Sequence, residues 1–265
     1  MSLYVHEYGA KDAPLLVLLH GGGWSGWMWD KHVELFQGYR CLVPDLPEHG
    51  RSGNDQDFSM NAAAKEIIAL IQERAGDQKA YVAAFSLGAQ VALKMLAIAP
   101  ETIKSAVLAG TLARRMPRYK LIAKVTQAAL FLTRNWVCQK ILASIQNIRD
   151  RDFQWYFADA KRFKGASLRR VLAANLTQGL PAGLKHVNVP VLVLVGQKES
   201  GIMLNSAKDL LKSIPNAQGC LIKNARHTFC YEDPEHFCTV ARHWFSHNNL
   251  PPELIGPICL PLQKE

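Results

Sequence analysis

The stretch Ala84-Phe85-Ser86-Leu87-Gly88 constrains this chain more than any other, because it sets one serine between small residues where an apolar run ends and a helix-like run begins. Tyr81 to Phe85 reads as a short buried strand and Ala89 to Ala97 has helical character, so Ser86 falls on a strand-to-helix turn. Such a turn drives the serine into a strained backbone conformation and exposes its hydroxyl at the sheet edge. Strand and helix backbones nearly collide there, and Ala84 and Gly88 are small enough for the crossing. Ser86 is therefore the candidate nucleophile.

A nucleophilic serine needs donors for the oxyanion it generates, a base, and an acid that orients the base. Upstream, Leu15 to Leu19 is an apolar run of strand length that leads straight into His20-Gly21-Gly22-Gly23-Trp24. Glycines after a buried strand let backbone N–H groups point into a cavity, although a simple tight turn would use the same residues. Trp24, Trp27 and Trp29 follow, and Gly23, Trp24 and Trp27 are read as the wall of a substrate pocket. The next strand, Cys41 to Pro44, leads to Asp45-Leu46-Pro47-Glu48-His49-Gly50-Arg51-Ser52.

Together these segments resemble the α/β-hydrolase family. His20-Gly21-Gly22 is similar to the family's strand-end His-Gly-x oxyanion motif, and Asp45 to Ser52 to its Asp-x-Pro-Gly-x-Gly-x-Ser loop, with Glu48 in place of the usual glycine. Ala84 to Gly88 matches the nucleophile turn, and the resemblance resumes from Val189 to about Phe245. It implies an α/β fold: a mostly parallel central sheet flanked by helices. The core is expected over residues 1–110 and 187–248, with a helical cap inserted at 111–186 and a C-terminal tail at 249–265.

The resemblance also implies the remaining site residues. Gly219 to Ile222 reads as a strand, and His227 stands in the loop after it, a few residues before Glu232-Asp233-Pro234-Glu235-His236-Phe237, which reproduces the family's Glu-x-Pro-x-x-Phe helix start. His227 is the expected general base, and Asp233 and Pro234 form the N-cap and first helical position of the final helix. His20, His49, His236 and His243 are read as structural. Val191 to Val195 is a strongly apolar strand, and the family's acid at the fourth position of the following Gly-x-x-Asp segment corresponds to Glu199. The alternative acid position, after the strand Ala106 to Ala109, reads Gly110-Thr111-Leu112-Ala113 and offers no carboxylate. The oxyanion would be held by the N–H groups of Gly22 and Leu87.

No close-paired His/Cys spacing suggests zinc, and Gly21-Gly22-Gly23 lacks a dinucleotide fingerprint, so neither metal nor cofactor is expected. Residues 114–185 hold 15 Lys and Arg against 3 Asp and Glu in a chain of net charge +9, so the cap carries the basicity. That face is read as solvated, as attracting an anionic substrate, or as touching an anionic membrane through Leu121, Ile122, Val125, Leu130, Phe131 and Leu132. No nucleic-acid motif accompanies it. Met1 to Tyr8 reads as a first strand rather than a leader, and no apolar run approaches membrane-spanning length. Six scattered cysteines are read as reduced thiols, and a cytoplasmic location is expected. The tail, with four prolines from Leu250 onward, is read as an extended arm that packs on the core or mediates self-association.

The expected activity is serine hydrolysis of a small-molecule carboxylic ester with a small or medium apolar acyl group. Serine at the nucleophile position argues against the family's dehalogenase and epoxide-hydrolase branches, which use Asp. Thioester, lactone and carbon–carbon bond hydrolysis and acyl transfer stay chemically open, as does a non-catalytic ligand receptor.

Overall fold

Continuous apolar runs such as Leu15–Leu19 and Val191–Gly196 have no polar face to give to water, so they belong in the middle of a sheet covered on both sides. The computed structural model describes residues 3–53, 57–128, 135–163, 165–250 and 259–262. Its strands are β1 Val5–Tyr8, β2 Leu15–Leu19, β3 Arg40–Pro44, β4 Ala80–Phe85, β5 Ile103–Ala109, β6 Val191–Gly196, β7 Ala217–Ile222 and β8 Cys259–Leu262. They form one sheet in the order β1-β3-β2-β4-β5-β6-β7-β8. The six inner strands run parallel, and β1 and β8 close the edges antiparallel.

The helices are α1 Asp30–Leu35, α2 Met60–Ala75, α3 Leu87–Ile98, α4 Tyr119–Ala128, α5 Trp136–Ile145, α6 Phe153–Arg162, α7 Gly165–Thr177, α8 Gly201–Ser213, α9 Phe229–Glu232 and α10 Pro234–His247. Side chains alternate across a strand, so Leu15, Val17 and Leu19 enter one core with the buried faces of α2, α3 and α8, while Leu16 and Leu18 enter a second core with α10. Helix ends follow the sequence: Ser59 caps α2 by accepting from Ala62 N–H, and Asp233 caps α10 by accepting from His236 N–H ahead of Pro234.

Among the described residues four α-helices, α4 to α7, lie between β5 and β6, where a helical insertion is expected. α4 packs on α7 and α5 on α6. Residues 129–134, with Leu130, Phe131 and Leu132, lie outside the described residues. The insertion is tied to the core by buried and half-buried polar contacts. Trp27 Nε1–H donates to Asp159 Oδ2 at 2.7 Å, Tyr231 OH to Asp152 Oδ2 at 2.7 Å, and Gln90 Nε2 to the carbonyls of Leu112 and Asn175 at 2.8 and 2.9 Å. Glu48 accepts from Ser167 Oγ at 3.0 Å and pairs with Arg170. Burial pushes the Glu48 carboxyl up, but the hydrogen bonds from Arg170, Phe58 N–H and Ser167 outweigh it and hold the group below its ordinary value.

Two expectations are tested at the sheet edge. The tail does pack on the core, contributing β8 against β7. The expectation of reduced thiols throughout is corrected at Cys220, which is disulfide-bonded on β7, while Cys41, Cys138, Cys230 and Cys238 are free. The scatter of cysteines along the chain carries no sign of this, because pairing depends on tertiary contacts rather than on spacing. Cysteine usage therefore no longer argues for a cytoplasmic location. Among the described residues no helix is long and apolar enough to cross a membrane.

Asp159 gives the insertion a measurable signature. Burial lifts its carboxyl from 3.8 to about 6, against the hydrogen bonds from Ser25 and Trp27. Below pH 3.8 both folded and unfolded chains hold the proton; between there and about 6 the unfolded chain sheds it first, so this group's contribution turns against the folded state as pH rises. Asp159→Asn keeps an acceptor for Trp27 and removes the charge. Its melting temperature should exceed the parent's above pH 6 and converge with it near pH 3.8; an unchanged gap across that range would show that Asp159 does not titrate in place.

Candidate active site

Ser86 sits at φ 51°, a left-handed conformation that a non-glycine residue adopts only under constraint. The constraint is the approach of α3 to the end of β2. A Cβ on Gly88 would stand 2.5 Å from the carbonyl oxygen of Leu19 and 2.6 Å from that of His20, so only glycine fits. Gly88 N–H donates to His20 O at 3.0 Å, and Ser86 N–H to Ala109 O at 2.8 Å, fixing both sides of the turn. The sequence reading of a strained strand-to-helix turn is what the backbone shows.

The loop after β2 is held by His20. Its Nδ1–H donates to Gly21 O at 2.8 Å and its Nε2 accepts from Leu46 N–H at 2.9 Å, which fixes a neutral tautomer. Burial lowers its pKa to about 4, so it stays uncharged. This buckle joins the glycine loop to the Asp45 loop, where Asp45 accepts from Gly26 N–H and Arg51 N–H, each at 2.8 Å. Gly22 lies beside the start of α3: a Cβ on it would be 3.5 Å from Leu87 Cβ. Leu87 is the first residue of α3, so its N–H has no acceptor within the helix. Gly22 and Leu87 are thus neighbours at the serine.

Ser86, His227 and Glu199 meet although they lie far apart in sequence. Glu199 Oε2 is 2.9 Å from His227 Nδ1, and His227 Nε2 is 3.0 Å from Ser86 Oγ. A carboxylate can only accept, so Nδ1 carries the proton and Nε2 is free to accept from the serine hydroxyl. The Glu199 side chain is 3 % exposed and also accepts from Gly196 N–H, whereas the imidazole is 42 % exposed. The two loops that carry the pair are stitched together by Lys198 N–H to Ala225 O and Gln197 N–H to Ile222 O, both 2.9 Å. On the other side, Gly110 at φ +60° supports the ring; a Cβ there would be 2.9 Å from His227 Cε1.

The serine opens on a cavity of about 770 Å³. Gln90 and Gly110 line its floor, Leu112, Met116, Asn175 and Leu176 come from the insertion, and Met203, Lys198 and Arg226 stand beside Glu199 and His227. Gly23, Trp24 and Trp27 are not among its lining residues. Trp24 and Trp27 are buried, with ring centroids 5.4 Å apart and Tyr231 packed at 5.3 and 5.8 Å, so they form part of the packing under α6. Sequence reasoning missed Gln90, although it lies one helical turn beyond Ser86. Asn175 and Leu176 had no signal, because α7 opens on a glycine and lacks a sharp apolar period.

Residues 14–234 match the family described as the alpha/beta hydrolase fold. The chain belongs to that family. It is 28% identical to the putative carbamate hydrolase RutD of Pseudomonas savastanoi pv. phaseolicola, over 87% of this chain and 93% of that one. It is 26% identical to carboxylesterase YbfK of Bacillus subtilis, over 86% and 79%. Among solved structures, the alpha/beta hydrolase MGS-M2 from a Medee basin deep-sea metagenome library superposes with a TM-score of 0.79, covering 94% of this chain and 96% of that one at 21% identity. This alpha/beta hydrolase is an enzyme, and its fold is that of its family.

Gly110 offers a test of how closely the imidazole is seated. Gly110→Ala strains a positive φ and pushes on the His227 ring at Cε1 and Nδ1. A misplacement of the order of 1 Å costs about 100-fold in turnover. The variant should fold, by circular dichroism, and lose turnover on that scale; parent-like kcat would show that the ring has room to move. Glu199→Gln should cost about 10⁴-fold in kcat by favouring the wrong imidazole tautomer, and near-parental turnover would remove Glu199 from the machinery.

Proposed function

We propose that this chain hydrolyses carboxylic esters of small or medium apolar acids through an acyl-enzyme on Ser86. The observation that carries the reading is the unbroken chain Glu199–His227–Ser86, with links of 2.9 and 3.0 Å, opening on a cavity. Ser86 Oγ attacks the ester carbonyl as His227 Nε2 takes its proton. The tetrahedral oxyanion is held by the N–H groups of Gly22 and Leu87, each worth on the order of 100- to 1000-fold in rate. Glu199, acceptor at Nδ1–H, stabilises the imidazolium. His227 then gives its proton to the departing alkoxide, takes one from water, and the resulting hydroxide attacks the acyl-enzyme to release the acid and return the proton to Ser86.

The acyl preference rests on Leu112, Met116, Leu176 and Met203, which give the cavity apolar walls beside the serine. The names of two relatives, carboxylesterase and putative carbamate hydrolase, support cleavage at an acyl centre, and the first is the reaction proposed.

A series of p-nitrophenyl esters from acetyl to long acyl chains, run with Ser86→Ala as the blank, tests this. The expected result is serine-dependent turnover with highest kcat/KM at short to medium chains. Turnover that survives Ser86→Ala would end the mechanism, and serine-dependent labelling without ester turnover would move the reading to another acyl-transfer chemistry.

A further inference from the structure

Of the twelve large apolar side chains most open to solvent among the described residues, nine fall between Leu121 and Trp155. Their arrangement inverts the rule for a surface helix. On α5, Val137, Ile141 and Ile145 stand at i, i+4 and i+8, 58%, 57% and 71% exposed, while the residues turned inward are Gln139 and Ala143. Trp136 opens the same helix with an exposed indole, and Trp155 is exposed on α6. On α4, Leu121 and Val125 are exposed beside Lys120 and Lys124. An apolar stripe that the fold leaves uncovered marks a surface meant for another partner.

Charge says which partner. Between Glu101 and Asp150 the sequence has no Asp or Glu, yet it carries nine Lys and Arg. An acid-free segment that pairs aliphatic stripes and tryptophans with cations suits an interface whose outer layer is anionic and whose inner layer is apolar. Arg114, Lys140 and Arg149 of this segment pair with Asp209, Asp150 and Asp152, but Lys120 and Lys124 stand beside the exposed apolar residues of α4, and a second copy of the chain would be a poor occupant because it would set the same lysines against each other. The surface also adjoins the site: Met116 lines the cavity beside Ser86, and α4 begins three residues later.

We propose that the exposed faces of α4 and α5 dock on an anionic lipid surface, with Leu121, Val125, Trp136, Val137, Ile141 and Ile145 entering the headgroup layer and Lys120 and Lys124 meeting the lipid phosphates. Docking of this kind sets the mouth of the cavity against a source of sparingly soluble substrate. It is independent of the ester chemistry, since binding is read without turnover.

Flotation of the full chain with vesicles of phosphatidylcholine alone, and of phosphatidylcholine mixed with phosphatidylglycerol, tests it. The protein should float with the mixed vesicles, less so as salt rises, and little with phosphatidylcholine alone. Each cation at an anionic surface multiplies the partition about fivefold, so the double change Lys120→Gln and Lys124→Gln should lower it about 25-fold. Ile141→Ser with Ile145→Ser should weaken partition at every salt concentration, with circular dichroism confirming the fold. Failure to float with mixed vesicles, equal partition onto both vesicle types, or parental partition by both double variants would overturn the proposal. So would a dimer in light scattering, formed without vesicles and abolished by the isoleucine changes, which would assign the face to a second copy.

Discussion

The contact between Gly88 and the carbonyls at the end of β2 is the constraint from which the site follows. Because α3 crosses so close to Leu19 and His20, the chain leaves β4 with no room for a relaxed turn, and Ser86 takes a positive φ. Strain of this kind costs of order 1–3 kcal/mol and persists only where the surroundings over-determine it. Here the buried cores on both faces of the sheet and the hydrogen bonds of Ser86 and Gly88 to Ala109 and His20 supply that determination. The same crossing puts the first N–H of α3 beside Gly22, so one steric fact positions both the serine and the donor pair proposed for its oxyanion.

The imidazole depends on two further close approaches. Gly196 has no room for a Cβ against the carbonyls of Ala225 and Arg226, which lets the loop after β6 lie against the loop after β7 and brings Glu199 to His227. Gly110 closes the other side. A carboxylate in the loop after β5 would be a second way to orient the ring, but that loop approaches His227 with a bare glycine, and the acid arrives from β6 instead.

Much of this was legible because it is steric and local. Apolar runs gave the inner strands to within one to three residues, and Gly88, Ser86, His227 and Glu199 stand where strand ends and loop motifs put them. What was illegible depends on contacts between segments distant in sequence. Tryptophans after a glycine loop fit a pocket wall and a packing cluster equally well, and only the arrival of Asp159 from α6 decides that Trp27 is buried. Part of the cavity wall comes from α7 and from Met116, in a segment whose period is weak. The disulfide at Cys220 has no local signature, since a bond of this kind depends on which segments meet in the fold.

Glu48 shows how the insertion is joined to this frame. Its position resembles a glycine of the family loop, and its φ of 62° is the reason glycine suits it. Glutamate accepts that backbone at a cost of about 1–2 kcal/mol, and its carboxylate, fully shielded from solvent, receives Ser167, Arg170 and the N–H of Phe58. The unfavourable backbone persists because the side chain it carries is a buried acidic anchor for α7. Removing the carboxylate would leave Arg170 with the exposed Asp57 as its remaining partner, a much weaker tie. The core thus concedes local strain at Ser86 and at Glu48 for different ends: the first presents a hydroxyl, and the second fixes the helix that supplies Asn175 and Leu176 to the cavity above it.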